Sequence, residues 1–253
     1  MVKHLKESLK NYMSKFKYDL GVIGLGYVGL PLAVYSVGAG LKVFGYDVNS
    51  EKVLKLNQGV SPIEDVSDKT LNSSIKSGLI FSDDSSTLRD CEHIVISVPT
   101  PLTDFKPDLS YVISAAQEIA NNAVKGQIII LESTTYPGTT LEVLIPEIQK
   151  ISDLKPGEDI FFGYSPERID PGNKEWNFKN TPKVVSGIND DSLSKIKSFY
   201  EKIIDTVVVV SGTKEAEMVK LLENTYRQVN IAFINELAIS VSYTHLRAHE
   251  TEA

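Results

Sequence analysis

Short apolar runs alternate with stretches of helical spacing along most of the chain. Strands are expected at Asp19–Gly24, Lys42–Tyr46, His93–Val98, Gln127–Leu131, Ile160–Gly163, Lys183–Ser186 and Val207–Val210. Between them, apolar positions recur at three- and four-residue intervals. That spacing predicts helices over Tyr27–Val37, Ser50–Asn57, Leu109–Asn122, Thr139–Lys150, Asp191–Ile203 and Lys214–Ser240. The strands show no apolar/polar alternation, as expected where both faces of a parallel sheet are covered. Strand–helix–strand repetition of this kind builds an α/β, Rossmann-like doubly wound sheet, followed here by a long helix. Ahead of it, Leu5, Leu9, Tyr12, Met13 and Phe16 form an apolar stripe among lysines, a short amphipathic extension over residues 1–17.

Composition narrows the class. The 26 basic residues against 33 acidic ones give a net charge of -7, which argues against nucleic acid as a partner. No apolar run reaches the roughly 18 residues of a membrane span, and the lysine-rich start has no secretory h-region. One cysteine, Cys91, allows no internal disulfide and suits a reducing, cytoplasmic setting. Ahead of an apolar strand it reads as a packing residue.

The sharpest local signal is Gly24-Leu-Gly26-Tyr27-Val28-Gly29, set between a strand and a helix. Gly24 permits the tight turn and Gly26 the approach of a pyrophosphate. Gly29 permits close helix–strand packing, and the helix N-terminus offers its amides to phosphate. A second strand then ends in Asp47, 18 residues past Gly29, where a carboxylate can accept from a ribose 2′-hydroxyl and repel a 2′-phosphate. No arginine lies between Asp47 and Val53, so the expected cofactor is NAD. Two further segments should lie beyond strand ends: Ser97-Val-Pro-Thr100-Pro, and Glu132-Ser-Thr134-Thr-Tyr-Pro-Gly-Thr139-Thr140. Thr100 and Thr134 are candidates to face the cofactor, and one of Thr139 and Thr140 is expected to cap a helix.

Downstream, Lys220, Asn224 and Arg227 fall at i, i+4 and i+7, one polar stripe on an otherwise apolar helix. Such a stripe can line a cleft, with Lys220 stabilising an oxyanion. The alternative is a solvated face in which Glu223 pairs with Arg227. Glu167 lies in a proline-bracketed loop, as a general base or as a salt-bridge partner of Arg168. His245 and His249 have the i, i+4 spacing of metal ligands but no third ligand, so no metal is expected.

The ordered motifs GLGYVGLPLA, SVPTPL, ESTTYPGTT, GYSPERIDPGN and AEMVKLLENTYRQVNIAFINELA resemble the UDP-glucose/GDP-mannose dehydrogenase family over residues 18 to 240. The SPERIDPGN form is similar to the branch that oxidises UDP-N-acetylhexosamines such as UDP-N-acetylglucosamine for surface polysaccharides. The resemblance implies oxidation of a sugar C6 alcohol to a carboxylate with two NAD⁺, through a cysteine-bound intermediate. It also implies that Tyr27, Val28, Asp47, Thr100 and Thr134 contact NAD, and that Thr134 and Glu167 serve the hydrolytic water. By the same resemblance Arg168 and Ile169 contact the substrate, Lys220, Asn224 and Arg227 line the sugar, and the long helix forms a homodimer.

The family's Gly-Gly-His-Cys nucleophile and its nucleotide-gripping domain are not in these 253 residues. The expectation is therefore a truncated copy, with an NAD-binding domain over 18–212, the start of a central dimerisation and catalytic helix over 213–240 and an unrelated tail over 241–253. A non-catalytic NAD-binding or dimer-interfering fragment is the alternative, as is a hydroxy-acid dehydrogenase of the same cofactor fold.

Overall fold

The structure is a computed structural model that describes residues 15–104, 106–168 and 178–244. The first half is β1 (Tyr18–Ile23), α1 (Gly29–Gly38), β2 (Val43–Tyr46), α2 (Ser50–Asn57), α3 (Asp68–Lys76), β3 (Ile80–Ser82) and β4 (Cys91–Ile96). A small hairpin, β5 (Leu102–Thr103) and β6 (Lys106–Pro107), leads to α4 (Ser110–Asn122) and β7 (Ile128–Leu131). A π-helical turn at Thr140–Leu144 runs into α5 (Ile145–Gln149), followed by β8 (Phe161–Tyr164). The described chain ends with β9 (Lys183–Val185), α6 (Asp190–Tyr200), β10 (Val207–Val209) and α7 (Thr213–Thr244).

Six strands form one parallel sheet in the order β3-β2-β1-β4-β7-β8. The chain works outward from β1 to β3, then returns to the other side of β1 through β4. The crevice between β1 and β4 is thus the switch point where such sheets bind ligands. Successive residues of one strand serve opposite faces: Ile128 and Ile130 join one core cluster, Ile129 and Leu131 the other. Both faces are covered, which is why the strands show no regular apolar/polar alternation.

Most expected elements are present within a residue or two, but α3, β3 and the hairpin were not expected. A further correction concerns Lys183–Ser186 and Val207–Val210, expected as strands of the main sheet. They form a separate parallel pair, β9 and β10. Ser186 and Ile188 donate backbone N–H groups to Tyr164 and Phe162, each at 3.0 Å, so this chain runs antiparallel to β8. Gly163 makes the approach possible, since a Cβ there would lie 2.0 Å from the Ser186 carbonyl oxygen.

Thr139 occupies the expected N-cap position, but neither its side chain nor that of Thr140 makes the capping bond. The Thr139 hydroxyl donates to Tyr136 O at 2.7 Å, and the Thr140 hydroxyl donates to Glu217 at 2.7 Å. The capping acceptor comes instead from α7, whose Glu217 carboxylate receives the Thr140 N–H at 2.8 Å.

Cys91 is buried and packs against Gly21, as expected. Burial, then the charge of Asp90, pushes its thiol up to about 12, so it is no nucleophile. Among the described residues no helix is long and apolar enough to cross a membrane. His245, His249 and most of the leading amphipathic segment lie outside the described residues.

Candidate functional site

A cleft of about 470 Å³ opens at the carboxyl ends of β1, β4 and β7. Its floor begins with the glycine turn, and each glycine has a distinct physical reason. Gly24 has φ +91°, a conformation open to glycine at little cost. A Cβ on Gly26 would meet nothing within 4 Å, so the backbone there borders open space that a ligand can approach. A Cβ on Gly29 would lie 1.9 Å from Gly24 O and 2.3 Å from Ser97 Oγ. The turn is further held by the Ser97 hydroxyl, which donates to Gly24 O at 2.9 Å and to Ile23 O at 3.1 Å. Helix α1 starts with Val28 at its N-cap and no side-chain cap. Pro31 has no N–H and Leu30 N is bonded to Gly26 O at 3.1 Å, so the amides of Val28 and Gly29 are the ones this turn can offer an anion.

Asp47 leaves β2 into the cleft wall and is buried there. Its Oδ2 accepts from Leu25 N at 2.9 Å and from Lys52 Nζ at 2.7 Å, while Oδ1 accepts from Asn49 N at 3.0 Å. With about four lone-pair sites on a carboxylate, at least one remains for a ribose hydroxyl. Asp47 thus has a second task, fastening the glycine turn to β2. Lys52 was not anticipated, although its position five residues after Asp47, in the first turns of α2, was visible.

Across the crevice, the segments after β4 and β7 are stitched together. The Thr100 hydroxyl donates to Thr134 O at 2.6 Å, and the Ser133 hydroxyl donates to Val98 O at 2.8 Å. Beneath them lies a buried charged cluster that the sequence did not announce. Lys183 Nζ sits 2.9 Å from Glu132 Oε1 and 3.1 Å from Glu167 Oε2, and the Tyr200 hydroxyl donates to Glu132 Oε1. Burial opposes the Lys183 charge, but Glu132 and then Glu167 outweigh it and hold its pKa above the ordinary lysine value. Burial raises the Glu132 pKa, against the pull of Lys183.

Glu167 is therefore no salt-bridge partner of the Arg168 side chain. Its Oε1 accepts the Arg168 backbone N–H at 2.8 Å. The Arg168 guanidinium turns instead to Glu223 Oε1, 2.6 Å from Nη2, and to Pro182 O at 2.9 Å. Glu223 thereby pairs with Arg168 rather than with Arg227, while Asn224 and Arg227 are exposed, as the solvated-face alternative had it. Lys220, half-buried at the cleft, donates to the carbonyl oxygen of Glu167. Burial lowers its pKa, with Glu167 and Glu223 opposing.

The cleft thus gathers Gly24, Gly26, Tyr27, Val28, Asp47, Thr100, Thr134, Glu167 and Lys220. Asn224 and Arg227 do not reach it; they lie one and two turns further along α7, on shallow depressions shared with Tyr226 and Ile231. Arg168 lines the same outer surface, and Ile169 lies outside the described residues.

A doubly wound parallel sheet with a glycine turn and a buried carboxylate beside it defines a dinucleotide-binding domain, and its residues fit NAD. Residues 18–204 match the NAD binding domain of the UDP-glucose/GDP-mannose dehydrogenase family, and residues 214–250 match that family's central domain. The chain belongs to this family. It is 42% identical over 222 residues to UDP-N-acetyl-D-glucosamine 6-dehydrogenase of Pseudomonas aeruginosa, covering 87% of this chain and 52% of that one. The same-named protein of Salmonella typhi is 38% identical over 224 residues, with the same coverage. Among solved structures, UDP-D-ManNAc dehydrogenase from Pyrococcus horikoshii superposes with a TM-score of 0.84 at 34% identity, over 91% of this chain and 56% of that one. The chain spans about half the length of the curated relatives it matches. Family membership replaces the hydroxy-acid dehydrogenase alternative.

Proposed function

We propose that this chain is the cofactor half of an NAD-dependent nucleotide-sugar 6-dehydrogenase. Its parent reaction takes a UDP-N-acetylhexosamine, two NAD⁺ and water to the UDP-N-acetylhexosaminuronate, for polysaccharide synthesis in the cytoplasm. NAD, when bound, supplies the hydride acceptor; the chain's own residues bind, orient and polarise. The observation that carries this reading is that Lys220, Glu167 and Thr134 line the same cleft as the glycine turn and Asp47. In it, the Lys220 ammonium stabilises the oxyanion that develops at C6. Glu167 and Thr134 orient water for hydrolysis, while Arg168, Ile169, Asn224 and Arg227 hold the UDP-sugar.

The 253 residues contain one thiol, that of the buried Cys91. The chain alone is therefore expected to bind NAD⁺ and to form no uronate. Calorimetry with NAD⁺ and NADP⁺, beside an NADH-absorbance assay with UDP-N-acetylglucosamine, tests both points. Turnover by the pure chain would overturn the second, and equal affinity for the two cofactors would overturn the first.

A second reading has its own support. Leu222, Tyr226, Val229, Phe233, Ile234 and Leu237 are all exposed on α7. An apolar surface of that extent favours association. It is consistent with a homodimer through α7, and equally with a fragment that captures a full-length homologue without catalysing anything. Sedimentation of the chain alone and mixed with such a homologue separates the two.

A further inference from the structure

We propose that Glu217 is a positioning residue: it latches α7 to the segment after β7 and so sets Lys220 on the cleft. This inference rests on the reading of Lys220 as a residue of the reaction. Glu217 is wholly buried in the first turns of α7. Its Oε2 accepts Gly138 N at 2.5 Å, and its Oε1 accepts both Thr140 N at 2.8 Å and the Thr140 hydroxyl at 2.7 Å. A carboxylate from one helix thereby caps the turn that opens another, where the positive end of the helix dipole favours it.

The latch works beside the other anchors of α7, which are the core packing of Ala216 and Val219 and the pairing of Glu223 with Arg168. Thr213 and Ala216 are buried, whereas Met218 and Leu222 are already half exposed or more. The Lys214–Glu142 pair, 2.6 Å apart, is exposed on both sides and holds little. Glu217 and Lys220 are three residues apart and share a helix face. The rotation that lets Glu217 reach Gly138 and Thr140 also delivers Lys220 to the Glu167 carbonyl oxygen. The latched segment follows Thr134, so one carboxylate registers the reaction-side helix against the cofactor-side loop.

The test measures the proton affinity of Lys220 in this chain by competitive amine acetylation across pH, read by mass spectrometry. In the wild-type chain Lys220 should titrate below the same lysine in urea-unfolded protein, because it is partly buried. In Glu217→Ala that difference should largely vanish. Glu217→Gln keeps the Oε1 contacts and should retain part of it; this variant carries the test if the alanine chain fails to fold. Leu71→Ala, a core truncation on α3, controls for general loosening and should leave Lys220 unmoved. An unchanged Lys220 titration in folded Glu217 variants overturns the proposal, as does an equal change in Leu71→Ala. Failure of the dehydrogenase reading would show separately, as loss of NAD⁺ preference in the wild-type chain.

Discussion

Lys183→Met would strip the ammonium from between Glu132 and Glu167, which lie 2.9 and 3.1 Å from it in a site with almost no solvent. Removing one partner of a buried ion cluster typically costs about 3–5 kcal/mol, because the remaining charges stay desolvated and unpaired. That is a large share of the roughly 5–15 kcal/mol that holds a domain folded. Part of the cost can be escaped by protonation. Burial already raises the Glu132 pKa above the ordinary 4.5, and loss of Lys183 must raise it further. A carboxyl whose folded pKa lies above its unfolded one contributes stability that is full below the unfolded value and is lost as pH rises through the folded value. The penalty of Lys183→Met should therefore be largest near pH 8 and shrink as pH falls toward 4.5. Urea unfolding of wild type, Lys183→Met and Lys183→Met/Glu132→Gln at pH 8 and at a mildly acidic pH measures this directly. The double variant, which removes one of the stranded charges, should recover much of the loss at pH 8. A single variant within about 1 kcal/mol of wild type at pH 8, against the several expected, would refute the reasoning. So would a cost that does not change with pH.

Three further outcomes follow from the same geometry. Asp47→Ala removes the acceptor shared by Leu25 N and Lys52. It should weaken NAD⁺ binding by about 10- to 100-fold, the worth of a charge-assisted hydrogen bond, and blunt the preference over NADP⁺, both read by calorimetry. Gly29→Ala places a Cβ 1.9 Å from Gly24 O, and the rise in melting temperature that NAD⁺ gives the wild type should disappear. His93 is buried, stacked on Phe199 and donates from Nδ1 to Asp19 O; burial lowers its pKa from 6.5 to about 4. A lowered folded pKa means stability present above the unfolded value and lost below it. About 3 kcal/mol should drain away between pH 6.5 and pH 4 in wild type, and His93→Gln should flatten that slope in urea unfolding.

What was legible in the chain is what short-range physics decides. Strand β7 is an unbroken apolar run, β1 and β4 become apolar after Asp19 and His93, and the glycine turn with Asp47 is a local motif whose spacing carries its own geometry. The missed α3 and β3 have weaker signals. Only Leu71 and Ser74 of α3 are buried, its start is marked by the Ser67 cap rather than by an apolar stripe, and β3 is three residues long with Ile80 exposed. Polar partners far apart in sequence were out of reach for a different reason. Nothing near Thr140 indicates that its cap lies 77 residues on at Glu217, and nothing near Glu132 names Lys183 or Tyr200. Such pairs have no period, so only the fold discloses them. Lys52 is an intermediate case: it stands close to Asp47 in the sequence, but its reach back to the carboxylate depends on how the turn from β2 into α2 is folded.

The two sides of the cleft are consequently built by different means, with a consequence for what a half-length chain can do. The cofactor side is made within residues 18–134, from parallel strand pairing, glycine packing and the bonds of Asp47, Ser97 and Thr100. The reaction side draws Glu167, Lys183, Glu217 and Lys220 together from loops, a separate strand pair and a helix with an exposed apolar face. Its polar contacts each depend on where α7 and the segment after β8 settle. Covering the apolar face of α7 would restrain that helix without touching the glycine turn. NAD⁺ affinity should thus vary little with chain concentration, while the protection of Lys220 from acetylation should rise as the chain associates. Were NAD⁺ affinity to rise with association and Lys220 protection to stay constant, the division of the cleft into a self-sufficient side and a dependent side would be wrong.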